Sequence, residues 1–138
     1  MARTAVALAV ALALPMAAGC GKTSPEDDVR AAVEGYAKAF AGRDYQALCD
    51  VYFDPQVISG LEASGLPCES AIRPKVSSTR NPKLEIRRIT VDGDSAKVEV
   101  HTTADAEAPT DDTLALVKDR EGRWRITPLA AGPQPGGP

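Results

Sequence analysis

Apolar residues in this chain fall into three regimes: an unbroken run, a stretch of helical period, and a stretch of period two. The run is Ala5 to Leu14, ten residues long. A helix needs about 20 residues to cross a hydrocarbon core, so this run suits the apolar region of a secretory signal instead. Helical period begins after Ser24. Val29, Val33, Tyr36 and Phe40 recur at +4, +3 and +4, with Ala32 and Ala37 beside them, and make one apolar stripe. Ser24 reads as the N-cap and Pro25 suits the first turn, while Glu26, Asp27 and Asp28 complement the positive end of the helix. Gly42 is expected to end it as the left-handed residue beyond the last turn. Asp44 caps a second helix in which Tyr45, Leu48, Cys49 and Tyr52 share a face. Val57, Ile58 and Leu61 predict a short helix after Asp54-Pro55, and Cys68 to Arg73 predicts another, stopped by Pro74.

After Asn81-Pro82 the period falls to two. Leu84 and Ile86 alternate, then the phase slips so that Ile89 and Val91 continue it. One extra residue at Arg87-Arg88 predicts a β-bulge that bends the strand. Asp92-Gly93-Asp94 turns the chain. Ala96, Val98, Val100 and Thr102 then share one face, with Lys97, Glu99 and His101 on the other. Asp105 to Asp112 reads as a polar loop, Thr113 to Lys118 as a third strand and Asp119 to Gly122 as a tight turn. Arg123 to Thr127 is the fourth strand, with Trp124 and Ile126 inward. Helices first and antiparallel strands after define an α+β class, N-terminal helices packed on a bent antiparallel β-sheet. Ala130 to Pro138 carries Gly and Pro but no core residues and is expected to be a disordered tail.

Pro15 ends the apolar run, and Ala17, Ala18 and Gly19 lead to Cys20. This resembles the lipobox of bacterial lipoproteins, in which small residues precede an acceptor cysteine; Ala17 stands where a leucine is usual. The resemblance implies that residues 1–19 are a signal peptide and that Cys20 bears lipid. Several acyl chains on one residue give stable anchoring at about 0.8 kcal/mol per buried methylene. The mature protein is then held at the extracytoplasmic face of the cell membrane. Residues 20–23 are the lipidated cysteine and a tether of at most ~14 Å, and 24–129 form one domain.

Composition adds limits. Without residues 1–19 the chain keeps 119 residues, enough for one core, and its formal charge moves from −3 to −4 with the loss of Arg3. Lys and Arg are scattered, which argues against a nucleic-acid surface. Three cysteines are an odd number for an exported protein; with Cys20 lipidated, Cys49 and Cys68 remain as a pair. Outside the cytoplasm such a pair oxidises, and closing its 18-residue loop stabilises by roughly 3 kcal/mol. A metal site lacks ligands, since His101 is the one histidine. No metal and no cofactor are expected.

The closing segment Leu114-Ala-Leu-Val-Lys-Asp-Arg-Glu-Gly-Arg-Trp-Arg-Ile126 resembles the last hairpin of the nuclear transport factor 2-like superfamily. Tyr36-Ala-Lys-Ala-Phe40-Ala-Gly-Arg-Asp-Tyr45 is similar to its opening, where a helix steps into the next through a small residue, an Asp and an aromatic. The resemblance spans about Ser24 to Leu129 and implies a cone-shaped, cystatin-like fold. It implies no single activity, because that superfamily contains isomerases, dehydratases, an epoxide hydrolase, ligand binders and members without known chemistry.

Catalytic members carry carboxylates, tyrosines or histidines inside the cone. The inward positions expected here, from Leu84 through Ile126, include no Asp, Glu or His. His101 falls on the outer face. The candidates for a ligand or cavity are Tyr36, Tyr52, Trp124, and Arg88 if the bulge turns it inward. These readings favour a non-catalytic, membrane-anchored lipoprotein whose domain serves as a protein-interaction or accessory module for an envelope partner. The alternative is a binding module for a small apolar ligand, marked by a cavity of several hundred Å³. An isomerase or dehydratase ranks third, because it requires a tyrosine or arginine to converge with a carboxylate.

Overall fold

The computed structural model describes residues 21–129. The expected signal segment 1–19, the expected lipid acceptor Cys20 and the expected disordered tail 130–138 lie outside the described residues.

Helix α1 runs Pro25–Gly42. The Ser24 hydroxyl accepts from the Asp27 amide at 3.1 Å, and the Asp27 carboxylate accepts back from the Ser24 amide at 3.2 Å, so two otherwise unpaired donors are satisfied. Arg43, not Gly42, takes the left-handed conformation beyond the helix, at φ 58°. Its amide donates to Phe40 and that of Asp44 to Ala39, the paired bonds of a Schellman ending displaced by one residue. The Arg43 guanidinium donates to the Ser77 carbonyl at 3.2 Å, which anchors a residue that lacks glycine's freedom.

Asp44 caps α2, Tyr45–Ala47, by accepting from the Ala47 amide at 3.0 Å. The helix then widens into a π turn, Leu48–Tyr52, closed by a bond from the Phe53 amide to the Leu48 carbonyl. Sequence period alone does not predict this turn, which holds both Leu48 and Cys49 in the core. Helix α3, Pro55–Glu62, starts on the Asp54 cap. Helix α4, Cys68–Ser78, contains Pro74 rather than stopping at it. The proline is exposed, while Ile72 and Val76 on either side are buried and keep the helix packed. Beyond it the Ser77, Ser78 and Thr79 hydroxyls donate to carbonyls of Arg73 and Lys75 and satisfy the last turn. Cys49 and Cys68 are disulfide-bonded with Cα atoms 6.1 Å apart, which ties the π turn to the first residue of α4.

Strands β1 (Lys83–Asp92), β2 (Ser95–Thr103), β3 (Thr110–Lys118) and β4 (Trp124–Thr127) form an antiparallel sheet in sequence order. Ile86 faces Val100 and Arg88 faces Glu99, so Arg87 is the unpaired residue of the expected bulge. Strand β3 begins three residues earlier than the alternation of Leu114 and Leu116 alone predicts. Its polar start is held by cross-strand pairs: Asp111 with His101 at 2.7 Å, and Thr110 with Thr102 at 2.8 Å.

Two cores result. Val29 and Val33 of α1 pack on Ala96, Val98, Val100, Leu116 and Trp124 of the sheet. Ala39, Leu48, Ile72 and Val76 gather around the disulfide. Arg125 links the layers: it meets Asp119 at 2.7 Å and donates to the carbonyls of Asp50 and Phe53 at 2.8 and 3.3 Å. The Asp54 amide adds a bond to Ile126 at 2.8 Å.

Candidate functional site

The half of α1 that carries Val29 and Val33 seals the sheet, but its C-terminal half does not. Between Tyr36, Ala37 and Phe40 of α1, the end of α4, and the ends of β1, β2 and β3 lies an open pocket of about 470 Å³. Its apolar wall is made by Tyr36, Phe40, Pro82 and Leu84. Tyr36 and Phe40 stand with ring centres 6.1 Å apart, tilted by 59°. Burial pushes the Tyr36 phenol above its usual pKa, because the phenolate would lose its hydration. The Tyr36 hydroxyl has no hydrogen-bond partner among the described residues.

The polar side of the pocket comes from the sheet. Thr102 faces Thr110 and Val100 faces Asp112 in the β2–β3 register, so Thr102, Thr110 and Asp112 project from the concave face. The Thr110 hydroxyl donates to the Asp112 carboxylate at 2.7 Å. A hydroxyl has one proton, so Thr102 donates to Thr110 across the 2.8 Å contact, and the chain runs Thr102 to Thr110 to Asp112. At the rim, Lys75 and Glu107 form an exposed ion pair at 3.2 Å. Thr79 is buried and donates to the Lys75 carbonyl.

Of the residues singled out by sequence, Tyr36 lines the pocket and three do not. The Tyr52 ring packs against Gly35 on the side of α1 that meets the π turn. Trp124 is 5% exposed in the core between α1 and the sheet; its indole N–H has no partner among the described residues, and Lys118 lies 4.9 Å over its ring. Arg88 is not turned inward by the bulge. Both arginines there face solvent, Arg88 3.7 Å from Glu99 and Arg87 2.9 Å from Glu85. A bulge on an edge strand leaves them free to hydrate. His101 sits on the outer face against Asp111.

The residue that sequence reading missed is Asp112. Its signal is the alternation itself: stepping back by two from Leu116 gives Leu114, Asp112 and Thr110. The inward face therefore does carry a carboxylate. Asp119, the other carboxylate with several partners, is structural. Arg125 first, then the Arg123 amide and guanidinium, hold its carboxyl well below the usual range. Among the described residues no group of three His, Cys, Asp or Glu side chains could hold a metal ion, and no helix is long and apolar enough to cross a membrane.

The sequence matches no family model and no curated protein. Its fold does have solved counterparts. A nuclear transport factor 2-like protein of unknown function from Silicibacter pomeroyi superposes with TM-score 0.52 at 23% identity, over 72% of this chain and 87% of that one. A putative nuclear transport factor 2-like transpeptidase from Campylobacter jejuni gives TM-score 0.52 at 14% identity, covering 75% and 97%. A de novo designed protein of the same fold gives 0.50 at 18% identity, over 76% and 85%. The chain has the nuclear transport factor 2-like α+β fold.

Proposed function

We propose that this protein is a lipid-anchored, extracytoplasmic binding module whose open cone end takes a small, largely apolar ligand without transforming it. The pocket is the observation that carries this reading. About 470 Å³ falls inside the range of small-molecule sites, and one wall is a tilted aromatic pair. A module that acted only by docking another protein would need no such hollow, so the pocket moves the balance from an accessory role to a ligand. The lipid anchor rests on the Ala5–Leu14 run and Cys20, and is supported by the start of α1 at Pro25, close behind them.

An isomerase or dehydratase is the second reading, because Tyr36 and Asp112 line the same pocket. Against it, Asp112 is exposed at the mouth, where water competes for any proton it would take. Native mass spectrometry of the mature protein, released from its own membranes with mild detergent, is the direct test. The expected result is a population carrying an extra small-molecule mass that disappears on denaturation. Only the bare mass, with no shift on incubation with the host's small-molecule extract, would return the protein to a protein-docking role.

A further inference from the structure

The charges around the pocket are not equivalent. Lys75 is neutralised at the rim by Glu107, and both side chains are well exposed, at 68% and 42%. Lys83 touches the pocket at its rim, but it precedes the inward Leu84 on an edge strand, so its side chain leaves from the outer face. Asp112 differs on both counts. It stands on the concave face opposite Val100, which is 2% exposed, and it forms no ion pair among the described residues.

Its orientation is also fixed. One carboxylate oxygen, Oδ2, accepts from Thr110, which is in turn held by Thr102. The other oxygen has no protein donor among the described residues and is left for the pocket. Thr102 keeps its lone pairs, since its proton goes to Thr110, and the Tyr36 hydroxyl across the pocket is unpartnered. An anionic ligand would meet this carboxylate with its own charge. A neutral hydrocarbon would fill the aromatic wall and leave the carboxylate without a partner. A cation with N–H donors satisfies both sides, because the aromatic faces favour positive charge and the acceptors take its protons.

We propose that the pocket takes a hydrophobic ammonium ion, its apolar body against Tyr36, Phe40 and Leu84 and its charged head on the free oxygen of Asp112. This rests on the reading of the pocket as a ligand site and adds the sign and donor chemistry of what fills it.

Isothermal titration of the full mature chain in detergent tests both levels, using 2-phenylethylamine, 2-phenylethanol and 3-phenylpropanoate as probes that share a phenylethyl body. The amine should bind about fivefold more tightly than the alcohol, the upper end for an ion pair on an exposed carboxylate, and the acid more weakly than either. Asp112→Asn keeps the acceptor for Thr110 and removes the charge. It should erase most of the amine's advantage while leaving the alcohol's affinity and the melting temperature unchanged, since Asp112 is exposed and outside both cores. Equal binding of amine and alcohol, or preference for the acid, overturns the ammonium proposal and leaves the pocket a ligand site. Failure of all three to bind overturns both.

Discussion

Gly35 shows how one missing side chain sets the packing of two helices. A methyl group built there would come within 2.9 Å of two Tyr52 ring carbons, closer than packed atoms tolerate. In an exposed helix, Gly to Ala normally stabilises by about 1 kcal/mol. Here the sign should reverse. Gly35→Ala must push the Tyr52 ring, and with it the π turn, away from α1, and overpacking of this kind costs about 1–3 kcal/mol. Urea unfolding should show a lower midpoint for Gly35→Ala, and most of the loss should be recovered when Tyr52→Leu is added to make room. A second substitution that recovers nothing would mean the clash is not with that ring. One residue on, Tyr36 packs its ring 6.1 Å from that of Phe53, just beyond the π turn, and its hydroxyl makes no hydrogen bond among the described residues.

The elements divide into those whose order is local and those held by partners distant in sequence. The bulge at Arg87 and the inward set from Leu84 to Ile126 are legible because each strand's alternation is intact and only its phase shifts. The start of β3 is not. Thr110, Asp111 and Asp112 have loop composition, and what makes them strand is His101 and Thr102 on β2, visible only once the two strands are in register. That one boundary hides the pocket's carboxylate, so the site was less legible than the fold. The ends of α1 and α4 are misread for a related reason: Arg43 and Pro74 are tolerated through tertiary bonds and packing that local rules do not contain. The disulfide clamps α4, whose last turn lines the pocket, so Cys49→Ser and Cys68→Ser should each lower stability by about 3 kcal/mol and by similar amounts. Clearly unequal losses in thermal unfolding would show that one thiol has a role outside the bond. The β3–β4 hairpin is clamped by charge instead. Arg125 and Arg123 lower the Asp119 pKa, so the folded chain holds that proton less readily than the unfolded one. The stability this contributes is present above the ordinary carboxylate pKa of about 3.9 and drains away as pH falls towards the folded value. Thermal unfolding followed from about pH 5 to pH 2 should therefore slope less steeply in Asp119→Asn than in the parent, and parallel slopes would count against the clamp.

At the scale of the whole molecule, α1 separates the proposed anchor from the pocket. The tether beyond Cys20 is only Gly21 to Thr23, so the start of α1 is held near the bilayer in the proposed arrangement. Tyr36 and Phe40 lie 11 and 15 residues beyond Pro25, which at 1.5 Å per residue is roughly 16 and 22 Å along the helix axis. The pocket opens at that far end, between the end of α4 and the Ala104–Pro109 loop. A ligand site so placed draws on the aqueous phase and needs no lipid to complete it. Cys20→Ser should therefore have two separable effects. It should move the protein from the membrane fraction to the soluble one, because the acyl chains are lost. It should leave the melting temperature and the affinity for 2-phenylethylamine unchanged, because in the proposed arrangement the anchor lies at the opposite end of α1 from the pocket. A variant that stays in the membrane fraction would remove the lipid anchor from the proposal. One that is released but loses affinity would make the bilayer surface part of the site, with α1 lying along the membrane rather than rising from it.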